Sequence, residues 1–288
     1  MKVLSLFDGI SCGMVALERA GVPVERYVAY EIDKYAIQIS KKNYPQIEHC
    51  GDVTKADFTQ YKGFDLLIGG TPCQDLCSMG SHKGLSGEKS GLFFEIARAL
   101  KEVNPKYFLL ENNASMTKEN EEIITKIMGV EPIMINSADF TAQNRKRLYW
   151  TNIPIEEWGI QNVLLLDIAQ SIEEKQEFLI TEKVNKYLSE EYKGRKIQKT
   201  VLASIRQLSE KSRCLSTRSC DVGSNSGLCL LQNGEYYVAT PIECERLQTL
   251  PDNYTLGISN PQRYKCIGNG WTVDVIAHIF KGLTQGGD

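Results

Sequence analysis

Thr71-Pro72-Cys73-Gln74 breaks out of the apolar run FDLLIGG, and the run YFLLE ends in Glu111. A thiol and a carboxyl group at the ends of two such runs are a potential nucleophile and a potential proton carrier. Pro72 restricts its own backbone and pushes Thr71 into an extended conformation, so the chain leaves the strand in a defined direction and presents Cys73 above it. A thiol aimed into a ligand crevice near cationic groups loses its proton more readily and becomes nucleophilic. The competing role of a reduced cysteine, a small buried hydrophobe, suits Cys77, which lacks that placement. Arg145 and Arg147, two apart on an apparent strand, point to one side and can serve one pocket; Lys146 points to the other.

A second group of residues has the spacing of a cofactor site. VLSLFDGISCG places a glycine loop directly after a short strand, and Glu31 follows Gly13 by 18 residues. An acidic side chain at about that separation accepts hydrogen bonds from ribose hydroxyls. The pattern D-G-x-S-x-G is neither the G-x-G-x-x-G of dinucleotide enzymes nor a phosphate-cradling P-loop. It fits an adenosine cofactor without a pyrophosphate.

These groups need a scaffold that gathers strand ends. The first half alternates short apolar strands, among them Val3 to Phe7, YVAY, FDLLIGG and YFLLE, with amphipathic helices. The helix through MVALERA stops at Gly21, and GLFFEIARALKE places Leu92, Phe93, Ile96, Ala97 and Leu100 on one face. The expected fold class is α/β, a doubly wound and mostly parallel sheet whose ligands lie at the carboxyl ends of its strands. Asp8, Glu31, Asp52, Cys73 and Glu111 all sit at such ends. After about residue 153 the alternation stops, and LCLLQNGEYYV predicts a hairpin around Asn233-Gly234. The expected domains are therefore a catalytic and cofactor-binding domain over 1–153, a smaller domain over 154–262, and a segment over 263–288 that returns to the first.

Composition removes several classes of function. The 288 residues are 42% hydrophobic and 24% charged, and no apolar run is long enough to cross a bilayer. The N-terminus lacks a signal peptide's cleavage pattern, so a cytoplasmic location is expected. Nine cysteines without a C-x-x-C pair, and three histidines far apart, predict neither a disulfide framework nor a metal site. The net charge of -3 conceals a basic arm: residues 183–218 hold ten lysines and arginines against three glutamates, a local +7 that leaves -10 for the rest. Such an arm is either a solvated helical face or a surface for a polyanion.

TPCQ, ENN at Glu111 to Asn113, QNRKR at Gln143 to Arg147, RLQTLP at Arg246 to Pro251 and GNGWTV at Gly268 to Val273 resemble, in order, the motif set of the DNA (cytosine-5)-methyltransferases. VLSLFDGISCG is similar to that family's first cofactor motif, and GLFFE, RCLSTRS and the tryptophan of GNGWTV are similar to the mammalian de novo enzymes. The family's usual E-N-V stands here as E-N-N, which changes packing at Asn113. The resemblance implies a class I S-adenosyl-L-methionine-dependent fold with a target-recognition domain. It implies that Cys73 adds to C6 of a flipped-out cytosine, Glu111 shares a proton at N3 with its pKa raised, and Arg145 and Arg147 hold the base. Phe7, Asp8, Gly9, Ile10, Ser11 and Gly13 would enclose the methionine part of the cofactor, Glu31 its ribose, and Ile32 and Asp52 its adenine. Val53, Gly70, Pro72, Leu92, Asn269 and Trp271 would complete the pocket.

Duplex DNA is the implied partner, met by Lys193, Arg195, Lys196, Lys199, Arg213, Thr217 and Arg218. The expected role is a restriction-modification or phage-type enzyme, monomeric, with a cognate endonuclease as partner. Three alternatives differ from it in sequence. A tRNA cytosine-5 methyltransferase usually carries a Cys-Phe-Thr tripeptide, absent here; a silent DNA-binding relative would lack the thiol or the glutamate; a nicotinamide dehydrogenase would need the missing dinucleotide loop.

Overall fold

The structure, a computed structural model, describes residues 1–71, 92–189, 192, 194–224 and 226–284. The chain forms two compact units, one of Met1–Asn136, Lys146–Trp158 and Asp274–Asp288, the other of Ser137–Arg145 and Gly159–Val273. Set beside the expected bounds, residues 137–145 and 263–273 group with the smaller unit and residues 154–158 with the first.

The first unit runs β1 (Lys2–Leu6), α1 (Cys12–Arg19), β2 (Arg26–Tyr30), α2 (Lys34–Asn43), β3 (Glu48–His49), β4 (Leu66–Gly70), α3 (Phe93–Val103), β5 (Tyr107–Asn113), α4 (Lys118–Met128), β6 (Ile133–Asn136) and β7 (Lys146–Thr151). Its seven strands lie in the order β3-β2-β1-β4-β5-β7-β6. The first five are parallel, and β7 runs antiparallel to both its neighbours. Strand order reverses between β1 and β4, the place where such sheets bind ligands. β1, β2 and β4 are buried almost throughout, as parallel strands covered on both faces must be.

Local chemistry sets the element ends. After α1, Gly21 takes φ 71°, and the amides of Gly21 and Val22 donate to Glu18 and Leu17 carbonyls. This left-handed closure favours glycine. α3 buries Phe93, Ile96, Ala99 and Val103; Ala97, expected on that face, is only half-buried. Gly69 lets α3 approach β4, because a Cβ there would strike the Ile96 side chain.

The second unit contains α5 (Leu165–Ile168), α6 (Thr181–Leu188), α7 (Arg195–Ser204), β8 (Ile205–Gln207), β9 (Cys229–Gln232), β10 (Glu235–Val238), α8 (Pro241–Leu247) and α9 (Asn260–Asn269); α10 (Val273–Phe280) follows and lies almost wholly in the first unit. The predicted hairpin is present: β9 pairs with β10 across Asn233 and Gly234, both at positive φ. Leu165, Leu215, Leu228, Leu247 and Ile267 form one core, and Val184, Val201, Val222 and Cys229 another.

This unit also buries charge. Lys175 Nζ donates to Glu243 Oε1 at 2.7 Å with both side chains fully out of water. Gln170 N donates to Glu243 Oε1 and Thr240 N to Oε2, while Thr240 Oγ1 accepts from Glu243 N, a capping box that starts α8. Breaking a buried pair leaves the remaining charge uncompensated. Lys175→Met is expected to destabilise the protein by about 3 to 5 kcal/mol, read as a lowered urea midpoint at unchanged m-value.

Candidate active site

Glu111 lies near the carboxyl end of β5, in register with Gly70 of β4 and Tyr149 of β7. Its side chain is buried, and Arg147 Nε donates to its Oε1 at 2.7 Å. A guanidinium orients a carboxylate more rigidly than an ammonium does. The neighbouring Asn112 is fully enclosed: its Nδ2 donates to Thr71 Oγ1 at 2.8 Å, and its Oδ1 accepts from Asn113 N at 2.7 Å. This amide ties the end of β5 to the residue preceding Pro72 and Cys73. Pro72, Cys73 and Lys193 lie outside the described residues. Asn113, the departure from E-N-V, closes a turn by accepting from Ser115 N.

The glycine loop occupies the ends of β1 and β2. Phe7, Gly9 and Ser11 all have left-handed backbones, with φ 58°, 60° and 61°. For residues bearing a Cβ this is unfavourable and has to be imposed by other contacts. Asp8 supplies them. Its Oδ1 accepts from Ser5 Oγ and Tyr27 OH at 2.6 and 2.7 Å, and its Oδ2 from Ser11 Oγ at 2.5 Å. Desolvation raises the Asp8 carboxyl above its ordinary value despite these three donors. Ile10 and Gly13 are buried beneath the loop.

Glu31 reaches across to the same loop. Gly9 N donates to its Oε2, and Ile32 N and Asp33 N donate to its Oε1, each at 2.8 Å. Ile32 is 75% exposed, unusual for a large aliphatic residue. Asp52 is half-buried; the amide and hydroxyl of Thr54 donate to its Oδ1 and hold its carboxyl below the ordinary range. Val53 is buried, and Leu92 packs against the same core. Gly70 ends β4.

Other expected residues belong to the second unit. β7 begins at Lys146, and Arg145 belongs to the second unit. Its guanidinium is buried and donates to the carbonyls of Leu215, Gly268 and Gly270. Within its own unit, Arg145 organises backbone, and within the first unit Arg147 holds Glu111. Asn269, exposed at the end of α9, and Trp271 also fall in the second unit.

Of the basic arm, α7 exposes Arg195, Lys196 and Lys199 while burying Thr200 and Val201. Thr217 and Arg218 are exposed, Arg218 bonded to Asp221. Arg213 is half-buried, and its guanidinium is lowered by burial and then by nearby Arg206. Lys211 is turned inward, donating to the carbonyls of Ala138, Thr141, Gln161 and Val163. Sequence reading missed Ser5, Tyr27 and Thr71 as supports of the site, because isolated hydroxyls carry no spacing signal.

Residues 1–226 and 166–285 match the family model for C-5 cytosine-specific DNA methylase, and the chain belongs to that family. It is 30% identical to the type II methyltransferase M1.ScrFI of Lactococcus lactis subsp. cremoris, over 99% of this chain and 78% of that one. It is 28% identical to the type II methyltransferase M.NlaX of Neisseria lactamica, over 98% and 96%. In fold it is similar to the Entamoeba histolytica methyltransferase EhMeth, with a TM-score of 0.80 at 17% identity over 98% and 97% of the two chains. The sheet is that of a class I methyltransferase.

Asp8 gives the site a pH signature. Because its folded pKa is raised from 3.8, the folded state holds this proton more tightly than the unfolded one, and stability falls as pH rises through the raised value. Asp8→Asn is expected to abolish that fall. Urea midpoints of both proteins measured upward from pH 3.8 should diverge across the window and run parallel above it.

Proposed function

We propose that the protein transfers a methyl group from S-adenosyl-L-methionine to C5 of a flipped-out cytosine in duplex DNA, through a transient bond from Cys73 to C6. The observation that carries this reading is the buried Glu111 carboxylate held by Arg147 at the end of β5, in a chain of this family.

The first unit fits the cofactor. The Glu31 carboxylate, pinned by three amides, faces the loop that β1 feeds; Ile32 offers an uncovered apolar surface beside it; Asp52 offers a half-buried carboxylate acceptor. That set suits a ribose flanked by an adenine. When bound, S-adenosyl-L-methionine supplies an electrophilic methyl group on a sulfonium.

The protein's own groups make C5 able to accept it. C5 of cytosine is a poor nucleophile until a thiolate adds to C6. Cys73 forms that bond, and the electron pair displaced from the C5–C6 double bond is delocalised toward N3 and O2. Glu111, oriented by Arg147, shares a proton at N3 and lowers that barrier. After C5 is alkylated, H5 leaves as a proton, its electron pair restores the double bond, and the C6–sulfur bond breaks to return Cys73. A base stacked in a duplex is inaccessible to these groups, so the cytosine must be flipped out.

The second unit presents the DNA-facing surface in this reading. Arg195, Lys196 and Lys199 expose three cations along α7, and Thr217 and Arg218 lie in an exposed turn. The type II names of its relatives support a restriction-modification role for the chain; a cytoplasmic monomer with a cognate endonuclease as partner is part of this proposal. Among the described residues no helix is long and apolar enough to cross a membrane, and no group of side chains has metal-ligand character.

Cys73→Ala is expected to abolish transfer from tritiated cofactor while leaving S-adenosylhomocysteine binding intact, with Cys77→Ala mild. Glu111→Gln should lower turnover by about 10²- to 10⁴-fold. Duplexes carrying 5-fluorocytosine should trap the wild-type chain covalently; product found only as N4-methylcytosine or N6-methyladenine would sink the assignment.

Replacing Arg195, Lys196 and Lys199 together by glutamine is expected to weaken binding to every duplex and flatten the log-log salt slope by about 0.9 for each phosphate no longer neutralised. Preference for the cognate sequence should survive, because phosphate contacts position and base contacts specify. An unchanged slope would return α7 to a solvated face.

A further inference from the structure

Among the described residues of the first unit, one buried side-chain atom finds no hydrogen-bond partner: His49 Nδ1. The other ring nitrogen accounts for it. His49 Nε2 lies 3.0 Å from Ser40 Oγ, Ser40 Oγ lies 2.6 Å from Ser11 Oγ, and Ser11 Oγ donates to Asp8 Oδ2 at 2.5 Å. A serine hydroxyl has one proton. Ser11 gives its proton to Asp8, so it accepts from Ser40; Ser40 has then given its own, so it accepts from His49. With Asp8 ionised the chain runs one way only, from His49 Nε2–H through both serines to the carboxylate. A neutral imidazole protonated at Nε2 is bare at Nδ1. That bare nitrogen is the atom left without a donor.

The chain joins the glycine loop to α2 and β3. His49 ends β3, Ser40 is fully buried on α2, Ser11 precedes α1 and Asp8 follows β1. Ser11 holds a left-handed backbone and makes no side-chain capping bond to α1. Its hydroxyl is instead engaged by Asp8 and Ser40.

We infer that His49 is a positioning residue for the cofactor loop: through Ser40 and Ser11 it holds the Asp8 carboxylate, and with it the left-handed turn at Ser11, in the form that receives the cofactor. The inference rests on the reading of this loop as a cofactor site. Burial, and after it the Lys41 ammonium on α2, outweigh the Glu31 carboxylate and hold His49 below its ordinary value, so the ring is neutral at neutral pH. A neutral ring is what the one-way chain requires, since a second proton would place a donor on Nδ1 where no described group accepts it.

The test has two arms. Nitrogen-15 NMR of the histidine-labelled, cofactor-free chain at neutral pH should show His49 as the Nε2–H tautomer, its signal assigned by its loss in His49→Gln. Calorimetry with S-adenosylhomocysteine should show His49→Leu and Ser40→Ala binding about five- to thirtyfold more weakly than wild type. His49→Gln, which keeps an N–H donor on a side chain of similar reach, should recover most of the affinity. An Nδ1–H tautomer in the wild-type chain overturns the inference, as does wild-type affinity in His49→Leu or a His49→Gln no better than His49→Leu. Where a variant fails to fold, the wild-type tautomer decides. A wild-type chain that does not bind S-adenosylhomocysteine defeats the cofactor reading instead, with the tautomer result standing apart from it.

Discussion

A carboxylate withdrawn from water must be met by donors, and at the strand ends of the first unit that demand shapes everything around it. Asp8 accepts from three hydroxyls, Glu31 from three amides and Glu111 from a guanidinium. The donors come from separate segments: Asp8 draws on β1, β2 and the residue before α1, Glu31 ties the end of β2 back to the glycine loop, and Glu111 joins β5 to β7. Losing one partner leaves the full desolvation cost of the carboxylate, so the strand ends hold one arrangement relative to each other. Three left-handed residues within the loop persist because these bonds determine them from several directions.

The second unit answers the same constraint with a denser interior. Glu245 accepts from Asn253 N, Thr255 N and Arg263, and Glu243 from Lys175 and two amides. Gln248 accepts from Gln143 and Thr272 and donates to the carbonyls of Ile267 and Gly270. The motifs QNRKR, RLQTLP and GNGWTV thus meet inside one polar network, which explains why residues 137–145 and 263–273 group with this unit. Gly268 belongs to the same economy of space: a Cβ there would collide with the backbone of Ser216 and Thr217, so its absence lets the RCLSTRS segment lie against α9.

Arg145 and Arg147 show how a motif divides its labour. The two are neighbours but one in sequence, yet Arg145 neutralises backbone carbonyl dipoles in the second unit while Arg147 orients the Glu111 carboxylate in the first. A guanidinium, with five donors in a fixed planar fork, suits both tasks. Lys146 between them is exposed, as its alternation along the strand requires.

Periodicity and punctuation made much of the scaffold legible from the amino acids alone. Runs such as VLSL and LLIGG, short, apolar and closed by turn residues, read as strands buried on both faces; Gly21 and Asn233-Gly234 mark a helix end and a hairpin because few other residues take those backbones; Glu31 and Glu111 stand at strand ends by simple counting. The ordered motifs carried the family. What tertiary structure decided was partnership. Nothing local in the sequence separates Arg145 from Arg147, since strand alternation assigns sides only once pairing with β5 and β6 has set where β7 begins. Nothing local turns Lys211 inward onto four carbonyls while Lys199 faces water, or links His49 to Asp8 through two serines. The physical reason is the same each time: a polar group's role depends on which donors and acceptors the fold brings within about 3 Å, and those come from residues far away in the chain.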